Sequence, residues 1–383
     1  MSGSSTKDTP GPDQSRRIDW LDALRGWAVA GVLMVHSMGV AHSSGVAEKI
    51  GAAGQYGVQL FFVVSALTIS MTYDSHVRRY GRSLHSQFAW LTKRYFRIAP
   101  LYSLAAIFYP AEKYAMYVLS HHEYGWTFSV RDICANLLFV HTWVPSANNS
   151  VVPGGWSIGV EMFFYLLVPF IWLIASIRLR IGVLLLSAAL FLLTTLVVNK
   201  ACTGSFYVVN NSYLYYWFPT QAPTIFIGLL FYFLNGDRLS KPVGRGAAYA
   251  CFAAFVLLTA AALYAGAEGG IAPFLAPAIL GVAFVLLILS LQGWMRKVVA
   301  NPVAAYLGRI SFSMYILHFV VLDVVLYVIF KWHIHRSPEW TLIPVFLITL
   351  VLTSLLALAS KKVIEDPGIA FGHRLSKTMV APG

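Results

Sequence analysis

Arg25 and His36 stand eleven residues apart in the apolar stretch LDALRGWAVAGVLMVH, residues 21–36. In an α-helix that interval is almost three whole turns, so both side chains leave one face, about 16 Å apart along the axis. A charged side chain at the centre of a bilayer helix costs about 2.5–3.5 kcal/mol even on the lenient insertion scale, and such groups usually mark a reaction or transport path. An imidazole can take and return a proton near neutral pH, which is the chemistry this pair would offer. A plainer reading stays open for each residue. Arg25 snorkels to the interface, paired with Asp22 at i,i+3, and His36 is a packed histidine of the bundle.

Three further groups could do chemistry. Glu161 lies inside an apolar run, five residues after Trp156 and four after Ser157. Ser157 and Glu161 share a helical face. A carboxylate there must be paired or protonated and should face the bundle, either at a site or as a polar contact between helices. Arg94 and Arg97 lie three apart at the start of an expected helix and share a face; a plain topology signal would also account for them. Ser311, Tyr315 and His318 recur at i, i+4, i+7, a polar stripe suited to interhelical hydrogen bonds or to substrate.

The elements that position these residues are expected to be membrane helices. The chain has 383 residues, of which 58% are hydrophobic and 11% charged, against about 25% charged in soluble domains. Ten segments approach the roughly 20 apolar residues that a span needs: 20–41, 57–73, 98–119, 156–176, 181–198, 213–234, 247–265, 272–293, 305–330 and 341–360. The fold class is therefore all-α, a polytopic membrane bundle of about ten transmembrane helices. Loops that carry Arg78, Arg79, Arg82, Lys93, Arg94, Arg97, Arg178, Arg180, Arg238, Lys241, Arg245, Arg296, Lys297, Lys361 and Lys362 fall on one side. The other side has only Lys49, Arg131, Lys200, Lys331 and Arg336. By the positive-inside rule both termini are cytoplasmic.

Residues 1–17 read as a disordered cytoplasmic tail, 18–375 as the transmembrane domain and 376–383 as a short tail, with no soluble domain expected on either side. The stretch 131–144, RDICANLLFVHTWV, is too short to span and reads as a re-entrant or surface helix. The net charge of +12 is spread over loops rather than gathered on one soluble face, so membrane lipids and not nucleic acid are its expected partners. Cys134, Cys202 and Cys251 form no ligand motif or disulfide framework. His42, His121, His122 and His141 lack metal-like spacing and are expected near the outer surface, so no metal is expected. The Trp and Tyr residues of 143–156 and 207–217 read as interfacial belts, or as faces on which sugar rings stack.

IDWLDALRGWAVAGVLMVHS resembles the opening of the membrane acyltransferase-3 family, whose hallmark is an arginine, ten residues and a histidine. GVQLFFVVSA (57–66), which carries Ser65, resembles its second-helix motif, with Ala66 where glycine is common. KRYFRIAPLY (93–102) resembles its basic loop. GGWSIGVEMFFYLLVP (154–169) resembles its Trp-Ser-x-x-x-Glu helix, without a second acid after Glu161. LGRISFSMYILHF (307–319) and VIEDP (363–367) resemble its closing motifs. The resemblance spans about residues 17–375.

The resemblance implies an O-acyltransferase of the bacterial inner (plasma) membrane. It would move an acyl group, most often acetyl from acetyl-CoA, to a hydroxyl of a cell-surface or lipid-linked glycan such as O-antigen or exopolysaccharide. An alcohol needs a base before it attacks, and His36 is the best candidate; a transient acyl-histidine is the rival route. Glu161 would orient His36, pair with Arg25 or bind the acceptor sugar. CoA carries phosphates and stays in the cytoplasm, which assigns Arg94, Arg97 and Arg25 to the acyl-CoA. Asp22, Ser65, Trp156, Ser157, Tyr315 and His318 are supporting or substrate-contacting candidates. Family members with a fused hydrolase-like domain finish transfer outside the membrane; without one, a separate acyl-accepting partner protein is an alternative.

Two other readings stay open. The same chemistry could acylate a small cytoplasmic metabolite. A secondary transporter would also carry intramembrane charges and proline-interrupted helices, although no pair of related halves is visible.

Overall fold

The computed structural model describes residues 12–41, 51, 53–119, 128–174, 176–205, 212–236, 242–268, 272–331 and 338–380. His42, His121, His122, the first eleven residues of the N-terminal tail and Tyr207 lie outside these. The described residues form helices, turns and coil, with no strand among them.

In chain order the helices are α1 (Pro12–Ala41), α2 (Gly57–Tyr80, entered through a 3₁₀ turn), α3 (Leu84–Leu119), α4 (Val130–Leu137), α5 (Trp156–Leu173), α6 (Ile177–Thr203), α7 (Phe218–Asn235), α8 (Arg245–Glu268), α9 (Ala272–Ser290), α10 (Gly293–Val299), α11 (Pro302–Arg309), α12 (Ser311–Lys331), α13 (Pro338–Ser360) and α14 (Asp366–Val380). Eight of the ten expected segments lie mainly on one helix, whereas 213–234 begins on a four-residue helix (Tyr213–Tyr216) before α7 and 305–330 straddles α11 and α12. Among the described residues, seven stretches are both long and apolar enough to cross a membrane, or eight if α9 and α10, bent by 116°, count as one span. The charges of α1 and α3 keep those two helices out of that group.

Burial sorts the helices. The spanning window of α2 is 78% buried and that of α7, taken with the turn before it, 72% buried, whereas the windows of α6 and α8 are each 11% buried. The exposed faces of α6 present Leu185, Leu186, Leu190, Leu193 and Val197. So continuous an apolar surface belongs in lipid rather than water. The protein is an integral membrane protein with α2 and α7 at its centre.

Small residues bring α1 close to its neighbours. A Cβ on Gly308 would lie 1.7 Å from the carbonyl oxygen of Asp22, and one on Gly26 would lie 1.9 Å from that of Ala304. Glycine at both positions lets the backbones of α1 and α11 touch, which larger side chains forbid. Gly57, at the head of α2, sits likewise against the Ala28 carbonyl. Thus α1 is clamped between α11 and α2. A Gln59–Gln221 amide hydrogen bond of 3.1 Å ties α2 to α7.

The connection from 128 to 155 does not span. It comprises the eight-residue α4, capped by the Ser129 side chain on Asp132 N–H, a 3₁₀ turn at His141–Trp143 and a run of turns to Gly155. His141 is not near a surface: it is fully buried, with Nε2 2.9 Å from the Gly155 carbonyl and 3.2 Å from the Tyr102 hydroxyl. A lone histidine in an apolar sequence can serve a loop anchor as well as an interface, and here the anchor prevails.

Candidate active site

Two cavities meet inside the bundle. The first is lined by Arg25, Arg94, Arg97, Ser65, Glu161 and Tyr165, among others, with about 700 Å³ of empty space that includes its open mouth. The second is lined by His36, Lys113, Asn149, Trp156, Tyr216 and Phe319, among others, with about 1190 Å³ of empty space that includes its open mouth. Val58 and Tyr315 line both, so these two side chains form the wall between the arginine cavity and the histidine cavity.

Two of the three arginines are held by α2. Arg25 donates to Thr68 Oγ1 at 2.9 Å and to Asp22 Oδ1 at 3.3 Å. Arg94 donates to Thr72 Oγ1 and lies over the Trp90 ring at 5.5 Å. Thr68 and Thr72 are one turn apart, and each hydroxyl donates to a backbone carbonyl four residues earlier, at 2.6 and 2.8 Å. Their protons are thereby committed and their lone pairs left for the guanidinium groups. Among the described residues, Arg94 and Arg97 have no carboxylate within ion-pair distance. Sequence reasoning missed Thr68 and Thr72; the T-x-x-x-T spacing on an apolar helix was the available signal.

Glu161 Oε1 accepts from Ser65 at 3.0 Å and from Tyr165 at 2.6 Å. Glu161 lines the arginine cavity and not the histidine cavity, and it makes no ion pair with Arg25. Among the described residues, no hydrogen bond or ion pair joins it to His36. Tyr165 was not singled out from the sequence, although it stands at i+4 from Glu161.

The wall is pinned by hydrogen bonds. Ser157 donates to the Tyr315 hydroxyl at 2.8 Å, and that hydroxyl donates to the Gly154 carbonyl at 2.8 Å. Gly154 has φ +75° and nearly touches the tyrosine; a Cβ there would lie 3.0 Å from its hydroxyl. The turn leading into α5 therefore closes on α12 through Tyr315.

His36 faces the second cavity and takes no hydrogen bond from a described residue. Its ring packs on Phe319, 4.6 Å between centroids, and on His318 at 5.2 Å. Across the cavity Trp156 stacks on Tyr216 at 4.5 Å and 26°. The structure thus groups Arg25, Arg94, Arg97, Ser65, Ser157 and Glu161 in one cavity and His36 and Trp156 in the other. Tyr315 stands between them, His318 lies behind His36 and Asp22 lies behind Arg25. No group of three metal-capable side chains occurs among the described residues.

No solved structure matches the chain. The chain is similar to a Staphylococcus aureus (strain COL) protein named "Putative O-acetyltransferase", 22% identical over 382 residues, which cover 92% of this chain and 57% of that protein. The chain thus spans little more than half the length of that relative. A family model described as an acyltransferase domain, Acyl_transf_3, matches residues 18–360. With the arginine-to-histidine helix and the ordered cavities behind it, the chain belongs to this membrane acyltransferase family.

Proposed function

We propose that the protein transfers an acetyl group from acetyl-CoA to a hydroxyl of a cell-surface or lipid-linked glycan, with the two substrates entering from opposite sides of the inner membrane. The observation that carries this reading is the pair of cavities that share Val58 and Tyr315 as a wall. One holds three arginines against a single carboxylate, a charge balance suited to the phosphates of CoA. The other holds an imidazole beside stacked aromatic rings, a surface suited to a sugar.

The excess of positive loops supports a cytoplasmic arginine cavity, in a topology of ten spans with both termini inside. Arg94 and Arg97 grip phosphate oxygens, and Arg25, steadied by Thr68 and Asp22, guides the pantetheine arm. The thioester passes the Val58–Tyr315 wall to reach His36. There His36 takes the acceptor's hydroxyl proton as the oxygen attacks the thioester carbonyl. The carbon–sulfur bond breaks, and the leaving thiolate receives that proton. Attack by His36 itself, with an acyl-imidazole passed on to the hydroxyl, uses the same geometry. The histidine cavity is roomy enough for a saccharide unit.

The acetyl content of surface glycans in a strain lacking this protein tests the reading. Loss of O-acetyl groups, restored by the wild-type gene and not by a His36→Ala copy, is the expected result. Unchanged acetylation would contradict it.

A further inference from the structure

His318 has a free, fully buried nitrogen beside His36. It lies on α12 with no exposed surface. Its Nδ1 is 2.7 Å from the backbone carbonyl of Tyr315. A carbonyl oxygen only accepts, so Nδ1 carries the proton, and in the neutral ring Nε2 bears the lone pair. That Nε2 is buried without a hydrogen-bond partner, a costly state for a polar atom that calls for an explanation.

The neighbour that can relieve it is His36. Their ring centroids are 5.2 Å apart, and Phe319 packs on both rings, at 4.6 Å from His36 and 4.1 Å from His318. No hydrogen bond joins the imidazoles here; a centroid separation of 5.2 Å is short enough for one when a nitrogen of each ring points along the line between them. His36 is only partly buried and makes no hydrogen bond to a described residue, whereas His318 is fixed by the Tyr315 carbonyl. The other titratable groups lining the cavity are Lys113 on α3, Tyr215 and Tyr216 before α7, and Tyr315 on α12. Lys113 is a donor, but its ammonium lies over the Phe128 ring at 5.1 Å and makes no hydrogen bond to His318.

We infer that His318 is the positioning residue for His36: its Nε2 accepts the N–H of His36 and so fixes which His36 nitrogen faces the acceptor. The chain of groups runs from the Tyr315 carbonyl through His318 to His36, each donor aimed at one acceptor. It makes the cavity-facing nitrogen of His36 the more basic one, as an outer partner does for a metal-bound histidine. The inference builds on the acyl-transfer reading but concerns the two imidazoles themselves, so it can be tested without turnover.

The experiment measures modification of His36 by diethyl pyrocarbonate, read by mass spectrometry of the His36 peptide in purified full-length protein. Three chains are compared: wild type, His318→Leu, which removes the acceptor, and His318→Gln, which keeps one. The expected result is at least threefold slower modification of His36 in His318→Leu, with partial recovery in His318→Gln. In acyl transfer the same leucine variant is expected to lose tenfold or more in kcat with the KM for acetyl-CoA unchanged, a split that a loosened fold would not give. Equal His36 modification rates in all three folded proteins would overturn the inference, whether or not the protein turns over acetyl-CoA. If the rates separate but wild type transfers no acetyl group, the acyl-transfer reading fails and the coupling of His36 to His318 stands. Should His318→Leu not fold, nitrogen-15 spectra of the wild-type imidazoles decide. One fixed, hydrogen-bonded tautomer of His36 supports the inference, and two exchanging tautomers overturn it.

Discussion

Arg25 and His36 project from one helix into two different cavities, and Tyr315 stands between those cavities. One face of α1 therefore serves both substrates of the proposed reaction. The distance between them is fixed by helical rise rather than by packing of separate elements.

The arginine cavity should bind the donor through charge. Arg94→Glu and Arg97→Glu are each expected to weaken acetyl-CoA binding about tenfold to a hundredfold, the equivalent of about 1.5–3 kcal/mol for a charge-assisted hydrogen bond. Thermal stabilisation of the purified protein by added acetyl-CoA reads this directly. His36→Ala should leave it unchanged, because His36 lines the other cavity.

The threonine ladder gives a subtler outcome. Thr68→Val and Thr72→Val keep the shape of the side chain and remove the acceptors for Arg25 and Arg94. Each should raise the KM for acetyl-CoA several-fold while thermal stability without ligand changes little, as steady-state kinetics beside melting curves would report.

The wall predicts a separation between two changes at one position. Tyr315→Phe removes the hydrogen bonds to Ser157 and Gly154 but keeps the ring. It should cost about 1–3 kcal/mol of stability without raising acceptor-independent hydrolysis of acetyl-CoA. Tyr315→Ala joins the cavities, and hydrolysis without acceptor should rise. Equal hydrolysis in both variants would show that Tyr315 does not divide the path.

The clamp on α1 is tested by glycine. Gly308→Ala places a carbon against the Asp22 carbonyl and must push the helices apart, an over-packing that costs about 1–3 kcal/mol or more. Loss of monodisperse protein or a clear drop in melting temperature is expected. Gly39→Ala, on the same α1 with nothing near its added carbon, should be neutral.

Acid should loosen the segment that carries Gly154. Burial raises the Asp132 carboxyl, but hydrogen bonds from Ser146 and Ser129 outweigh it and hold the group below the usual carboxylate range. Because its folded value is the lower one, its stabilising contribution is complete above the unfolded value near 3.9 and disappears as pH falls through the folded value. Limited proteolysis should cut the 128–155 segment faster below about pH 4, and Asp132→Asn should remove that dependence.

Much of the site was legible because helical periodicity is local. The spacing of Arg25 and His36, of Arg94 and Arg97, and of Ser157 and Glu161 put each pair on one face, and each face meets a cavity. The short 131–144 stretch was legible from length alone. What the sequence hid was long-range. Nothing in GGWSIGVE says that Gly154 will meet Tyr315, 161 residues later, and Glu161 sits with the arginines although the sequence left it free to orient His36. His141 was misplaced because an isolated histidine gives no sign of its partners, Tyr102 and the Gly155 carbonyl. Hydropathy undervalued α1 and α3 for a physical reason. Arg25 on α1 and Arg94 on α3 point into the protein, where Asp22, Thr68 and Thr72 meet them, so these two charges burden the average without facing lipid.

The most direct test is transfer of radiolabelled acetyl from acetyl-CoA to a glycan hydroxyl by the purified protein, wild type against His36→Ala. The account predicts transfer by wild type and a loss of at least 10²–10⁴-fold, the usual contribution of a positioned base, in a His36→Ala protein that still binds acetyl-CoA. A folded His36→Ala protein that transfers acetyl at the wild-type rate would contradict it.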